Sequence, residues 1–350
     1  MKQHTTRALI LDLVKSLASG APLHADLRNA LDTASFRHLL TDNGLASLVY
    51  PRVSASEVKD ETRDFFRRSN EDALVHKDIA LDALRQMGPD LCGSGRVVLL
   101  QGLALAESLY AEPACRQMGD IDLYLPDGNA EEVRSCLRAH GFEKFQNYRN
   151  VWYRKGLCID LHESLWGEDR IPRRRWLAPE RELTLAESRQ VPGYRVLGSE
   201  LMTLECLFHG LKHGFGRAIW ILDALILWRR GFIHELLVRD MRSRIAVATV
   251  RYLSEQGLID QGELPRKAVR GGAGWWRVER AALAHGRREG AGEIALAFLC
   301  PSVGKSIAYL WCSAFPPRRV LREMYGDDHD VVLPVIRIWV LLKLLLKALR

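Results

Sequence analysis

Along the first 85 residues, apolar side chains recur at three- and four-residue intervals. "RALILDLVKSLA", "SFRHLLTDNGLASLVY" and "EDALVHKDIALDALRQM" all carry this spacing, which predicts amphipathic helices. The pattern breaks at the Gly/Pro-rich "GPDLCGSG". "RVVLLQG" (96–102) is then a β-branched and leucine run that predicts a short buried strand ending at Gly102. "LALAESLYAE" (103–112) predicts a helix, "PACRQMG" a loop and "DIDLYLP" a second strand. "GNAEEVRSCLRAHGF" (128–142) is a helix with a glycine stop after His140. "FEKFQNYRNVWYRKGLCIDLHESLW" has the pattern of a hairpin turning at Lys155-Gly156. From about 199 onward, "SELMTLECLFHGLKHGF" and "RAIWILDALILWRR" restore helical periodicity, which continues to the end. The resulting plan is α+β: a helical region (1–88), an αβ core (89–195) and a second helical region (196–350), without internal repeats.

Within "MGDIDLYLP" the alternation of a strand puts Asp120 and Asp122 on one face, with Ile121, Leu123 and Leu125 on the other. Two carboxylates roughly 7 Å apart along a strand repel, more so near a protein surface than in water. Solvent, basic side chains or a divalent cation must offset that repulsion. In "LCIDLHESL" the same alternation groups Asp160 with Cys158 and His162, opposite Ile159 and Leu161. If the two strands are neighbours, Asp120, Asp122 and Asp160 form a carboxylate cluster suited to two Mg²⁺ ions. Asp160 is also placed to take a proton from an acceptor. Upstream, the turn "LLQGLALAES" ends a strand and opens a helix at Gly102, a place where backbone N–H groups favour an anion. Arg116 adds a candidate phosphate contact four residues before Asp120.

Bulk composition leaves this picture standing. The chain has 350 residues, 47% hydrophobic and 27% charged, with net charge +7 and pI near 9.1. A mildly basic protein suits an anionic ligand without requiring nucleic acid. Seven scattered cysteines without a C-x-x-C pair argue against a disulfide framework and fit a reducing compartment, so a cytoplasmic location is expected. The N-terminal segment lacks the long apolar core of a signal peptide. In the apolar tail "VVLPVIRIWVLLKLLLKALR", Arg337, Lys343, Lys347 and Arg350 interrupt a membrane span. A final helix docked on the body is expected, with a membrane-surface helix as the alternative.

Together, "VVLLQGLALAESLYAEPACRQMGDIDLYLP" and "CIDLHESLW" resemble the nucleotidyltransferase-fold proteins of the polymerase-beta superfamily. Within it, they are most similar to bacterial proteins described as uncharacterised nucleotidyltransferases, some encoded beside lasso-peptide and polysaccharide biosynthesis genes. The matching positions are Gly102, Tyr110, Arg116, Asp120-Ile121-Asp122-Leu123 and Ile159-Asp160-Leu161-His162, followed by His209, His213, Trp220 and Asp223. The resemblance implies a small mixed-sheet core, a nucleoside triphosphate co-substrate and Mg²⁺ held by Asp120, Asp122 and Asp160. It further implies nucleotide-binding roles for Gln101, Gly102, Tyr110, Arg116, His162, His209 and His213. Gln101 stands where the family usually has lysine, so one phosphate-binding charge is missing. The implied activity is transfer of a nucleoside monophosphate to an acceptor that is a peptide natural product, a sugar or another small molecule. A binding module that has lost catalysis and a tRNA-modifying toxin are the alternatives.

Other features carry less chemistry. His209 and His213 lie i, i+4 on a helix, but no H-E-x-x-H pattern accompanies them, so cleft lining or a partner such as Asp223 is expected. "RIPRRRW" is a basic run expected to be a solvated loop, with a phosphate-binding arm as the alternative. Trp275 and Trp276 are expected to pack between helices. Gly304-Lys305-Ser306 lacks the upstream glycine of a P-loop.

Overall fold

The computed structural model describes residues 3–325, apart from 54–56, 92–96, 111–115, 127, 129, 147, 178–182, 240–243 and 264–290. The apolar tail and Trp275-Trp276 therefore lie outside the described residues.

The N-terminal periodicity forms α1 (Gln3–Ser19), α2 (Ala25–Leu31), α3 (Ala34–Asp42), α4 (Ala46–Val49) and the long α5 (Asp60–Leu91). His24 caps α2 by accepting a hydrogen bond from the Leu27 amide at 3.3 Å. The break expected at Gly88-Pro89 does not occur: α5 continues through both to Leu91. Met87 and Leu91 are buried against the sheet, and that packing holds the last turn.

The core elements follow as β1 (Val98–Leu99), α6 (Gln101–Leu109), β2 (Ile121–Tyr124), α7 (Ala130–Ala139), β3 (Glu143–Lys144), β4 (Val151–Arg154) and β5 (Leu157–His162). Two further strands, β6 (Leu185–Glu187) and β7 (Arg195–Leu197), were not predicted by the pattern. At three residues each, they are too short to show alternation. They complete a mixed seven-stranded sheet of order β3-β4-β5-β2-β1-β7-β6. β1 pairs antiparallel with β2 and parallel with β7, and β2 pairs parallel with β5. The β4–β5 hairpin turns at Lys155 (φ 46°) and Gly156 (φ 86°), the two successive left-handed residues of a tight turn.

The sheet has two different faces. Leu99, Ile121, Leu123, Ile159 and Leu161 are buried in one apolar cluster with Leu84, Met87 and Leu91 of α5 and Val133 and Leu137 of α7. Burial alternates strictly along β5, with Leu157, Ile159 and Leu161 inside and Cys158, Asp160 and His162 on the other face. That face is overlaid by α8 (Ser199–Lys212), whose buried residues join α9 (Ala218–Arg229), α10 (Phe232–Arg239), α11 (Arg244–Glu255) and the N-terminal helices in a second cluster. The last described helices are α12 (Ala291–Phe298), α13 (Val303–Ala314) and α14 (Arg318–Tyr325). The molecule is thus an α+β fold with helical flanks around a mixed sheet. Among the described residues, no helix is long and apolar enough to cross a membrane.

The basic run departs from a solvated loop. Pro172–Trp176 is a 3-10 turn in which Arg174 is buried and bonded to Glu293 of α12. A buried guanidinium requires such a carboxylate. Gly304-Lys305-Ser306 lies in the first turn of α13, behind the N-cap Ser302.

Candidate active site

In the parallel β2–β5 pair, Asp122 stands opposite Asp160 and Tyr124 opposite His162. This register puts two carboxylates and an imidazole side by side on the central strands of the sheet. His162 Nε2 lies 2.8 Å from Asp122 Oδ1 and 3.9 Å from Asp160 Oδ2. One potential ligand atom from each of Asp122, Asp160 and His162 lies within 4.8 Å of the others, so the group is able to hold a metal ion. Asp122 is buried and Asp160 is half-buried. Asp120, one residue before β2, is exposed and lies outside this group. His162 is thus a further neighbour of Asp122 and Asp160, delivered by the parallel register, and the charges of both carboxylates also act on Asp120.

The charges interact strongly. Burial disfavours a charged His162, but the bond and charge of Asp122, with Asp160 behind it, push its pKa up to about 9. Desolvation raises Asp160, and His162 opposes that rise. The Asp120 carboxyl is pushed up to about 7 by desolvation and then by the negative charges of Asp122 and Asp160. The positive charge favoured on His162 offsets the paired carboxylates. Chemically, two carboxylate oxygens suit a hard divalent cation, and the imidazole lies within hydrogen-bond distance of one of them.

This cluster opens on a cleft lined by Gln101, Asp160, His162, Glu205, His209 and Lys212, among others. Residues 29–253 match the family described as "Uncharacterised nucleotidyltransferase". The chain belongs to this nucleotidyltransferase family. The match runs from α2 into α11 and contains every residue of the carboxylate cluster. A search of curated proteins and a search of solved structures each found no match.

The remaining candidates divide between the cleft and the interior. Gln101 opens α6 at the cleft with a left-handed φ of 44°, a strained backbone for a residue with a side chain. Its side chain acts on Glu205, opposing the rise that burial gives that carboxyl. Gly102 is buried, and a Cβ there would lie 3.2 Å from Met118 Cβ and 3.6 Å from Arg116 Nη1. Its lack of a side chain thus serves close packing beneath the cleft.

Arg116 and Tyr110 do not face the cleft. The guanidinium forms a fork on Asp223 of α9, with Nε–Oδ1 at 3.1 Å and Nη2–Oδ2 at 2.7 Å. Tyr110 donates to Asp223 Oδ1 at 2.7 Å. Burial works against the charge of Arg116, and Asp223 more than offsets it, holding the guanidinium above its ordinary pKa. Nor does Asp223 partner the histidines. A carboxylate with no exposed surface takes the arginine.

His209 lines the cleft, and His213 is exposed. Their rings lie 4.6 Å apart and pack on Trp220 at 5.2 and 5.0 Å. Burial, then His213 and Lys212, hold His209 well below its usual pKa, so it is neutral at pH 7.

Among the cleft residues that the sequence pattern does not single out are Glu205 and Lys212. With Phe208 and His209 they fall at i, i+3, i+4 and i+7 along α8, one helical face. The apolar richness of α8 masks that face in the pattern, although the spacing was available.

Proposed function

We propose that this protein is a Mg²⁺-dependent nucleotidyltransferase, transferring a nucleoside monophosphate from a nucleoside triphosphate to an acceptor. The observation that carries the reading is the in-register pairing of Asp122 and Asp160 on adjacent parallel strands beside a cleft. Family membership supports the reaction class. Asp122 and Asp160 would hold the cation, and Asp120, which interacts electrostatically with both, would add negative charge to its field. When bound, Mg²⁺ supplies charge neutralisation of the transferred and leaving phosphates. In the reaction the acceptor oxygen bonds to the α-phosphorus while the bond from that phosphorus to the α–β bridging oxygen breaks. The bond's electron pair departs with pyrophosphate, and the acceptor proton passes to a carboxylate, for which Asp160 is the candidate. Positioning supplies most of the rate in chemistry of this kind. The acceptor class is a peptide natural product, a sugar or another small molecule, and a cytoplasmic location accompanies the NTP substrate.

Incubation with each labelled NTP, Mg²⁺ and candidate acceptors tests the reading. Label transfer lost in Asp122→Asn with the fold intact supports it. Equal transfer by that variant removes it.

A second reading, a nucleotidyltransferase-fold binding module, is favoured by the neutral Gln101 at the start of α6. Binding of none of ATP, GTP, CTP and UTP in calorimetry with Mg²⁺ would support that reading. A tRNA-modifying activity would appear as salt-sensitive tRNA binding.

A further inference from the structure

The cleft is lined by both carboxylates and cations, and the cations are not equivalent. Arg174 is taken up by Glu293. Arg170 has Glu323 at 3.9 Å. Gln101, at the start of α6, is neutral, and Arg116 is committed to Asp223 below the cleft. Lys212 lines the same cleft, half-buried, with no carboxylate within 4.0 Å among the described residues. It is the last residue of α8, seven residues beyond Glu205 and three beyond His209, on the face turned to Asp160 and His162. A half-buried ammonium without an ion-pair partner is poorly compensated, and an anion entering the cleft would compensate it. The group's surroundings agree: burial, then Arg174, draw the Lys212 ammonium down to about 8.

We propose that Lys212 is the polyphosphate-binding cation of this cleft, holding the phosphates that leave as pyrophosphate while the transferred phosphate lies toward Asp122 and Asp160. The assignment deepens the nucleotidyltransferase reading and rests on it for the identity of the anion. Lys212 occupies the helix that closes the cleft, whereas Asp122 and Asp160 occupy the sheet. Nucleotide binding would therefore bridge sheet and helical layer. The charge that Gln101 does not supply from α6 is supplied from α8.

The test uses the full chain in excess chelator, so that no divalent cation contributes. Inorganic pyrophosphate and ATP are titrated calorimetrically into wild type, Lys212→Met, Lys212→Arg and Asp122→Asn. Wild type is expected to bind both probes. Lys212→Met, which keeps the aliphatic stem, is expected to bind about tenfold or more weakly, the effect of removing one charge-assisted contact. Lys212→Arg restores most of that loss, and Asp122→Asn retains pyrophosphate binding while losing transfer. Unchanged affinity in Lys212→Met, or no pyrophosphate binding by wild type, overturns the proposal. If Lys212-dependent pyrophosphate binding occurs but no NTP and acceptor give transfer with Mg²⁺, the anion subsite stands and the transferase reading falls. Near-ultraviolet circular dichroism checks that each variant is folded, and rescue by arginine separates a charge effect from a packing effect.

Discussion

Arg116 and Asp223, 107 residues apart in sequence, form a two-pronged buried ion pair that joins the loop before β2 to helix α9. The pair connects the strand carrying Asp122 to the helical layer that covers the cleft. Removing one partner leaves the other charge buried and uncompensated. Asp223→Asn and Arg116→Met are each expected to destabilise the protein by about 3–5 kcal/mol. Tyr110→Phe removes only a hydroxyl donor to the same carboxylate, and the expected loss is about 1–2 kcal/mol. Urea unfolding of the three variants gives the order, and a mild Asp223→Asn effect would contradict it.

The carboxylates should differ in weight. Asp122 and Asp160 share one compact group with His162, whereas Asp120 lies outside it. Asp160→Asn is expected to lower turnover on the order of 10³-fold, the scale of losing a main electrostatic contributor. Asp120→Asn should have a clearly smaller effect. Chelation of divalent cations should abolish turnover in the wild type, and added Mg²⁺ should restore it. Steady-state transfer assays on both variants decide the ranking, and equal losses would refute it.

Glu205 links stability to pH. It is buried on α8, and burial, followed by the charge of Asp122, pushes its pKa up to about 7. A carboxyl raised in the folded state favours its protonated form. The penalty is therefore absent below the unfolded value near 4.5, grows as pH rises toward 7, and is constant above that. Its size is on the order of 3 kcal/mol at alkaline pH. Glu205→Gln should stabilise the protein at pH 8.5 and have little effect at pH 4. Unfolding midpoints at the two pH values measure the difference, and a pH-independent effect would remove burial of this carboxylate as the cause.

The β4–β5 turn sets the position of Asp160 through the hairpin register. Gly156 has a φ of 86°, which a side chain resists. Gly156→Ala should cost about 1 kcal/mol or more. Lys155, at φ 46°, is also left-handed, and Lys155→Asn should add a few tenths of a kcal/mol, because asparagine tolerates that region. Thermal unfolding of the two variants in opposite directions is the expected result.

The sequence by itself determined the strands that carry chemistry. Asp122 and Asp160 each sit in a run whose neighbours alternate into an apolar core, and Leu123 and Leu161 mark that core unambiguously. A period of two needs no partner strand to be visible, so β2, β5 and the Lys155-Gly156 turn were legible. The three-residue strands β6 and β7 were not, because they exist only through pairing with β1 and each other. α5 passed Gly88-Pro89 because the sheet receives Met87 and Leu91, a contact no local propensity contains. Partner choice was likewise tertiary. Arg116 reads as a phosphate ligand in the chain, but folding brings the unexposed carboxylate of Asp223 within 2.7 Å of it. Conversely, Lys212 and Glu205 read as ordinary positions of an apolar helix until α8 is laid across the sheet. Local pattern fixes which face a side chain takes. Which opposite charge it meets, and whether water reaches it, is decided only when distant segments share one interior.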